Sequence, residues 1–240
     1  MAGQIVLSSH SQVSDTFQRW WNTQGEWVEP PNLRRDGESG VQLLRPRDRS
    51  KPVLYCKRQV GHLYRSFRHP FGRPTVLREQ GALSAFERLG VRVPELVYCG
   101  ASREGGRWQA LLVTKALQGF VSLDAWYRDG AQRQYGDAVH GQMLQQLALT
   151  LSRVHRDRWQ HGCCYPKHIF IRVSDDGASV EIALLDLEKS RRRLLRSAAS
   201  AHDLRQLHRH RDEMPLSDLQ LFREAYDAAF ADGGERGNGR

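Results

Sequence analysis

With 240 residues, 40% of them hydrophobic and 26% charged, the chain can bury a core of its own and lacks the composition of a disordered polymer. Lysine and arginine number 36 against 27 aspartates and glutamates, and the resulting charge of +9 calls for an anionic partner: nucleic acid, an acidic membrane surface or a phosphorylated substrate. No apolar run approaches the ~20 residues needed to cross a bilayer, the start lacks the pattern of a secretory signal, and cysteines 56, 99, 163 and 164 do not form a disulfide framework; a cytoplasmic protein with reduced thiols is expected.

In chain order, Val41–Arg45 and Val53–Lys57 read as short strands joined by a polar, proline-bearing connection, which predicts a hairpin. A basic loop follows from Gly61 to Arg73, with His62, Arg65, Arg68, His69 and Arg73. Thr75 reads as a helix cap, Leu77, Leu83, Phe86 and Leu89 as the apolar contacts of that helix, and Gly90 as its stop. Val97–Cys99 and Ala110–Thr114 are two further predicted strands. After Gly119 the pattern turns helical: Val139, Met143, Leu147, Leu151 and Val154 recur at intervals of four and three and form one apolar stripe. Ile169–Val173 and Val180–Leu185 flank Asp175-Asp176-Gly177, a hairpin signal. Ser217 starts a last helix with Leu219, Phe222, Tyr226 and Phe230 on its apolar face, and the charged, glycine-rich segment 232–240 is expected to be disordered.

The chemistry concentrates in His161-Gly-Cys-Cys-Tyr-Pro-Lys-His168, followed by the hairpin and by Leu184-Leu-Asp-Leu-Glu188. Protein kinases place a catalytic loop of the form H-R-D-x-x-x-x-N before a short hairpin and a metal-binding Asp. His161 and His168 take the first and last loop positions, and Asp186 stands at the end of an apolar strand. A carboxylate there suits a divalent ion that prefers hard oxygen ligands, and Glu188 either joins it or faces solvent. Upstream, Lys57 ends a strand and Glu79 lies on the next helix, where it can pair with Lys57. Asp36 to Val41, with Gly37 and Gly40, reads as a reduced glycine turn over nucleotide phosphates. A strand-end lysine is more often a surface lysine, and two glycines in a turn are common; the ordered series carries the reading.

The chain resembles the lipopolysaccharide core kinase family, the InaA/WaaP-like proteins with a eukaryotic-like kinase fold, from about Trp20 to about Tyr226. The resemblance is carried by Gly37-Glu-Ser-Gly, Tyr55-Cys-Lys-Arg-Gln, Leu77-Arg-Glu, Val91-Arg-Val-Pro-Glu, Leu112-Val-Thr-Lys-Ala, Gly119-Phe-Val-Ser-Leu-Asp-Ala-Trp, His161 to Phe170 and Leu185-Asp-Leu-Glu-Lys. It implies an α+β, two-lobed protein-kinase-like fold: a small antiparallel-sheet N-lobe over 1–117, a mostly helical C-lobe over 118–231, and a nucleotide cleft near 117–119. It also implies ATP and Mg2+ as cofactors, and phosphoryl transfer to a sugar (heptose or Kdo) of the lipopolysaccharide inner core or a lipid A-linked acceptor. The place would be the inner face of the inner membrane, with peripheral membrane contact. Lys57 would carry the nucleotide phosphates, Glu79 would orient it, and Asp186 with His168 would hold magnesium. Asp203 would brace the catalytic loop; a plain helix N-cap is the alternative for that residue.

One departure bears directly on activity. Where the family has its catalytic Asp, this chain has Cys163. A free thiol has a pKa of about 8.5, and losing a general base costs roughly 10²–10⁴-fold in rate. Three readings are open: a working kinase using His161, His168 or an Asp elsewhere as base, a nucleotide-binding pseudokinase acting as scaffold or regulator in envelope stress, and a transition-metal site of His161, Cys163, Cys164 and His168, whose spacing matches no common zinc pattern. Arg191, Arg192 and Arg193 follow Asp186 in a basic run, where an acceptor's phosphates could be bound; a solvated basic face is the alternative. Nucleic-acid binding is disfavoured, since no binding motif accompanies the charge.

Overall fold

The computed structural model describes residues 10–34 and 37–232; Asp36 of the expected glycine turn and residues 233–240 of the expected tail lie outside the described residues. Two compact units divide the chain. One takes the described residues up to Gln80 together with Glu95–Ala116, and the other takes Gly81–Pro94 with the described residues from Leu117 onward. The segment 81–94, placed in the first lobe by the sequence reading, thus belongs to the second unit.

The first unit runs through α1 (His10–Asn22), β1 (Glu26–Arg34), β2 (Gly37–Leu44), β3 (Leu54–Val60), β4 (Leu63–Ser66), β5 (His69–Pro74), the start of α2 (Thr75–Arg88), β6 (Leu96–Glu104) and β7 (Arg107–Lys115). Five strands form an antiparallel sheet in the order β1-β2-β3-β7-β6, while β4 and β5 pair separately. Phe17, Trp20 and Trp21 fall at i, i+3 and i+4 on α1, so one face of the helix is aromatic. Phe17 is buried with Leu44, Cys56, Leu111 and Val113, and Trp20, Trp21, Leu54 and Tyr98 pack against this cluster. Full burial of such a side chain contributes about 1.5–3 kcal/mol.

Three expectations change here. The segment 61–73 is not a loop, because most of it lies in the β4–β5 hairpin. Gly37 and Gly40 are strand residues of β2, opposite Arg34 and Arg58 respectively, rather than turn residues. Their lack of a side chain serves close packing: a Cβ on Gly37 would meet the Gly61 and His62 backbone at 2.6 Å, and one on Gly40 would meet the Trp27 ring at 2.7 Å. The strand β1 went unpredicted because Pro30 and Pro31 interrupt it; it tolerates them as an edge strand whose register shifts between Glu29 and Asn32.

The second unit holds β8 (Val121–Ser122), α3 (Leu123–Arg128), α4 (Ala131–Arg156), β9 (Trp159–Gln160), β10 (Ile169–Val173), β11 (Val180–Leu184), β12 (Arg191–Arg192), α5 (Arg196–Arg209) and α6 (Leu216–Asp232). Met143, Leu147, Leu151 and Val154 of the predicted stripe are fully buried in α4, while Val139 is half-buried and His140 takes the interior place beside it. The Trp126 Nε1–H donates to His140 Nδ1 at 3.1 Å, so His140 carries its proton on Nε2 and donates to Asp218 at 2.8 Å. A break at Gly136, with φ 82° and ψ 167°, interrupts α4 near its start. Phe222 and Tyr226 of α6 are buried, as the amphipathic pattern requires. The β10–β11 hairpin pairs Ile169 with Leu184 through Val173 with Val180, and Gly177 closes it at φ 68°. No helix among the described residues is long and apolar enough to cross a membrane.

Candidate active site

Lys57 lies in β3 between Val41 of β2 and Leu112 of β7, so the strand pairing on both sides fixes its backbone. Its Nζ donates to Glu79 Oε2 at 2.8 Å, with the two side chains 17% and 8% exposed. The start of α2 is set by a residue the sequence reading passed over. Gln59 Oε1 accepts the Thr75 hydroxyl at 2.9 Å and the Val76 N–H at 3.3 Å, so a glutamine from β3 performs the capping expected of Thr75. Glu79 follows Thr75 by one helical turn, and the anchored start directs it to Lys57. Nearby, burial first and then the Glu79 charge push the Cys99 thiol up to about 12.

In the second unit, the loop between β9 and β10 is held by α5. Asp203, fully buried, accepts the His161 N–H at 2.6 Å and the Gly162 N–H at 3.0 Å. Gln206, one turn further, accepts the Cys164 N–H at 2.9 Å and donates to the Gly162 carbonyl at 3.2 Å. Asp203 sits inside α5, whose N-cap is Leu195, so the capping alternative for Asp203 is replaced by a loop-bracing geometry. Burial works against the Asp203 carboxylate, but hydrogen bonds from His155 and His202 and the neighbouring imidazoles hold its carboxyl well below the usual range. The Ser190 hydroxyl donates to the His161 carbonyl at 2.8 Å from the other side. Gly162 has φ 84°, and a Cβ there would stand 2.6 Å from the Lys189 carbonyl oxygen. The sequence signal for Gln206 was only its i+3 spacing from Asp203.

His161 is fully buried, and burial pushes its pKa down to about 4 despite the Asp203 charge. Its Nδ1 accepts the Cys163 N–H at 3.2 Å, which fixes the proton on Nε2. The nitrogen that could take a proton is thus already engaged within the loop. Cys163 is buried, and its thiol is pushed up to about 11, by burial first and then by the Asp186 charge, with Lys189 opposing. It is a neutral thiol at physiological pH. His168 differs: its Nδ1–H donates to the Cys163 carbonyl at 2.9 Å, and its Nε2 lies 3.7 Å from Asp186 Oδ2. His168 is thus held by the loop main chain on one nitrogen and set beside the Asp186 carboxylate with the other.

Asp186 adopts φ 58° and ψ 63°, a left-handed backbone that costs a non-glycine residue roughly 1–2 kcal/mol. Carboxylate oxygens of Asp186 and Glu188 come within 4.8 Å of each other. The two carboxylates are hard oxygen donors that fit a divalent ion keeping several of its waters, magnesium or manganese, while His168 approaches Asp186 and, among the described residues, does not converge with both. The alternative cation site of His161, Cys163, Cys164 and His168 is corrected: these four do not converge as ligands among the described residues, and Cys164 is fully buried with its thiol raised by burial.

The three arginines separate in environment. Arg191 and Arg192 form β12 opposite Gln160 and Trp159, and the Arg193 N–H donates to the Arg158 carbonyl at 2.8 Å. Arg191 and Arg192 are both exposed, and Arg192 is ion-paired with Asp157 at 3.3 Å.

The profile of the Lipopolysaccharide kinase (Kdo/WaaP) family matches residues 18–226. The chain is 44% identical over 214 residues to Protein InaA of Escherichia coli (strain K12), covering 89% of this chain and 96% of that one. A solved structure of WaaP in complex with acyl carrier protein is similar with a TM-score of 0.66 at 19% identity, over 89% of this chain and 83% of that chain. The fold is accordingly kinase-like and two-lobed, with an antiparallel-sheet lobe and a mostly helical lobe.

Proposed function

The chain belongs to the lipopolysaccharide kinase (Kdo/WaaP) family, and on that premise we propose that it transfers the γ-phosphoryl group of ATP to a hydroxyl of an inner-core sugar, heptose or Kdo. The observation that carries this reading is the 2.8 Å pair between Lys57 and Glu79, because a lysine held by a helix carboxylate is the device by which kinases fix nucleotide phosphates. Lys57 receives the α- and β-phosphates and Glu79 orients it. Asp186 and Glu188 would hold a divalent ion, with His168 beside Asp186, and that ion would supply positive charge to the phosphates. Asp203 and Gln206 keep the loop in shape. The acceptor oxygen bonds to phosphorus as the bond to ADP breaks, through a loose transition state in which positioning and charge matter more than deprotonation. Arg191 and Arg193 meet acceptor phosphates, with Arg192 less available through its bond to Asp157. A lipid-linked acceptor places the work at the inner face of the inner membrane.

A second reading rests on the neutral, buried Cys163 in the base position: a nucleotide-binding regulator that turns over slowly or not at all. The deciding experiment is calorimetric titration of ATP with magnesium into the wild type, Lys57→Ala and Asp186→Ala. Magnesium-dependent binding lost in both variants supports nucleotide binding, and phosphate incorporation into inner-core acceptor then selects the kinase. No binding at millimolar ATP overturns both readings.

A further inference from the structure

The β4–β5 hairpin carries a surface that phosphoryl transfer does not use. Ser66 pairs with His69, which leaves Phe67 and Arg68 as the two-residue connection at the tip. Tight connections of this length favour Gly, Asn or Asp. Here the first turn position is instead a phenylalanine that is 103% exposed, and neither turn residue has a positive φ. Below the tip the register slips: Tyr64 faces Arg73 while Ser66 faces His69, so Arg65 alone is opposed by three residues of β5. That bulge holds Phe71, which is 93% exposed, and Gly72, at φ 87°. Bulges re-aim side chains, and this one turns a second aromatic ring to solvent.

Neither ring contributes to the hydrophobic core, so the turn and the packing explain neither. Their surroundings are of one sign. Arg65, Arg68 and Arg73 are exposed, no acidic residue occurs from Gly61 to Arg78, and none of the three arginines is ion-paired among the described residues. Protruding aromatics beside guanidiniums that lack a carboxylate partner, one of them near His69 at 3.4 Å, match a bilayer interface, where rings sit at headgroup depth and arginines meet lipid phosphates. Nucleic-acid platforms stack bases on aromatics spread over a sheet face, whereas these rings stand at the tip and at the bulge of a narrow ribbon.

We propose that the β4–β5 hairpin docks the protein on an anionic bilayer, with Phe67 and Phe71 entering the interface and Arg65, Arg68 and Arg73 binding lipid phosphates. This goes beyond the kinase reading, since docking needs neither nucleotide nor acceptor. The test is co-sedimentation of the full chain with vesicles of phosphatidylethanolamine and phosphatidylglycerol, with phosphatidylcholine vesicles as the neutral control. The wild type should bind the anionic vesicles and lose them as salt rises, and Phe67→Ser/Phe71→Ser should weaken binding by about tenfold or more, with unchanged thermal stability and ATP affinity. In a Phe67→Trp variant, the added emission should shift blue on anionic vesicles and be quenched by brominated lipid. Equal binding by the double serine variant, no wild-type binding, or an unmoved tryptophan signal would overturn the proposal. So would tighter binding of single-stranded RNA abolished by the same two serines, which would make the hairpin a nucleic-acid site.

Discussion

Asp203 accepts the main-chain N–H of His161 at 2.6 Å from the interior of a helix forty-two residues later in sequence. With Gly162 on its second oxygen and His155 and His202 as further donors, the carboxylate is fully engaged and fully buried. Burying a carboxylate is costly unless its bonds are complete, so this one is spent on holding the loop in a single conformation. The loop that carries Cys163 is therefore framed from α5 at His161, Gly162 and Cys164.

The two buried titrating groups of that frame predict the shape of the acid limb of stability. The folded pKa of His161, about 4, lies below its ordinary 6.5, so between those values the unfolded chain takes up a proton that the folded chain refuses. Stability should fall as pH drops through that window, by on the order of 3 kcal/mol. Asp203 acts further down: its folded pKa is depressed, so its contribution is present above the ordinary carboxyl value of about 3.9 and is lost as pH falls toward the folded one. Urea unfolding across the acid range checks both. His161→Asn, which keeps an acceptor for the Cys163 N–H, should flatten the upper window, and Asp203→Asn should flatten the lower one while costing on the order of 3 kcal/mol at neutral pH.

Gly162→Ala should be costly for a different reason. The residue combines φ 84° with a Cβ position 2.6 Å from the Lys189 carbonyl oxygen, and a main-chain atom cannot step aside as a side chain can. A loss of at least about 2 kcal/mol is expected in chemical denaturation. Gly177→Ala, also at positive φ but with open space around its Cβ, should cost only the strain. The difference between the two isolates the clash.

What the sequence made legible followed from local chemistry. The α4 stripe and the Asp-Asp-Gly hairpin depend on spacing and turn residues, and the order Lys57, Glu79, His161, Asp186 survives in one dimension. Gln59 capping α2 from sixteen residues away, and Gln206 and Ser190 gripping the loop from 42 and 29 residues away, depend on distant partners for which a sequence carries no marker. Gly37 and Gly40 show the opposite error: their glycines suggested a turn, but the reason for glycine at both is the close approach of neighbouring backbone and an indole ring. The basic run 61–73 was visible as charge, and only pairing of Ser66 with His69 shows that it is a hairpin displaying two phenylalanines.

If Glu79 acts only by holding Lys57, the two residues form one functional unit. Lys57→Ala should reduce phosphoryl transfer by about 10²-fold or more, Glu79→Gln by less, and the double variant by no more than Lys57→Ala alone. Gln59→Leu, which removes the acceptor for Thr75 and Val76, should behave like a mild Glu79 variant, because it loosens the start of the helix that aims Glu79. Steady-state rates at saturating ATP, with nucleotide affinity measured in parallel, test the cycle; additive losses would mean that Glu79 has a role of its own.

Cys163 separates the kinase from the regulator. Burial first and then the Asp186 charge push its thiol up to about 11, and a divalent ion on Asp186 would offset the second of these. Cys163→Ser swaps one neutral group for another of similar shape and should leave the rate within about tenfold. Cys163→Asp introduces a carboxylate at the same buried place, where burial should raise its pKa and a divalent ion on Asp186 would lower it. Supplying a carboxylate base should raise the rate by roughly 10²–10⁴-fold, with a new acid limb in the profile. Phosphate incorporation into inner-core acceptor by the three proteins measures this directly. A rate that rises only in Cys163→Asp shows a kinase slowed by one residue, whereas a fall in both variants would make the thiol itself part of a working site.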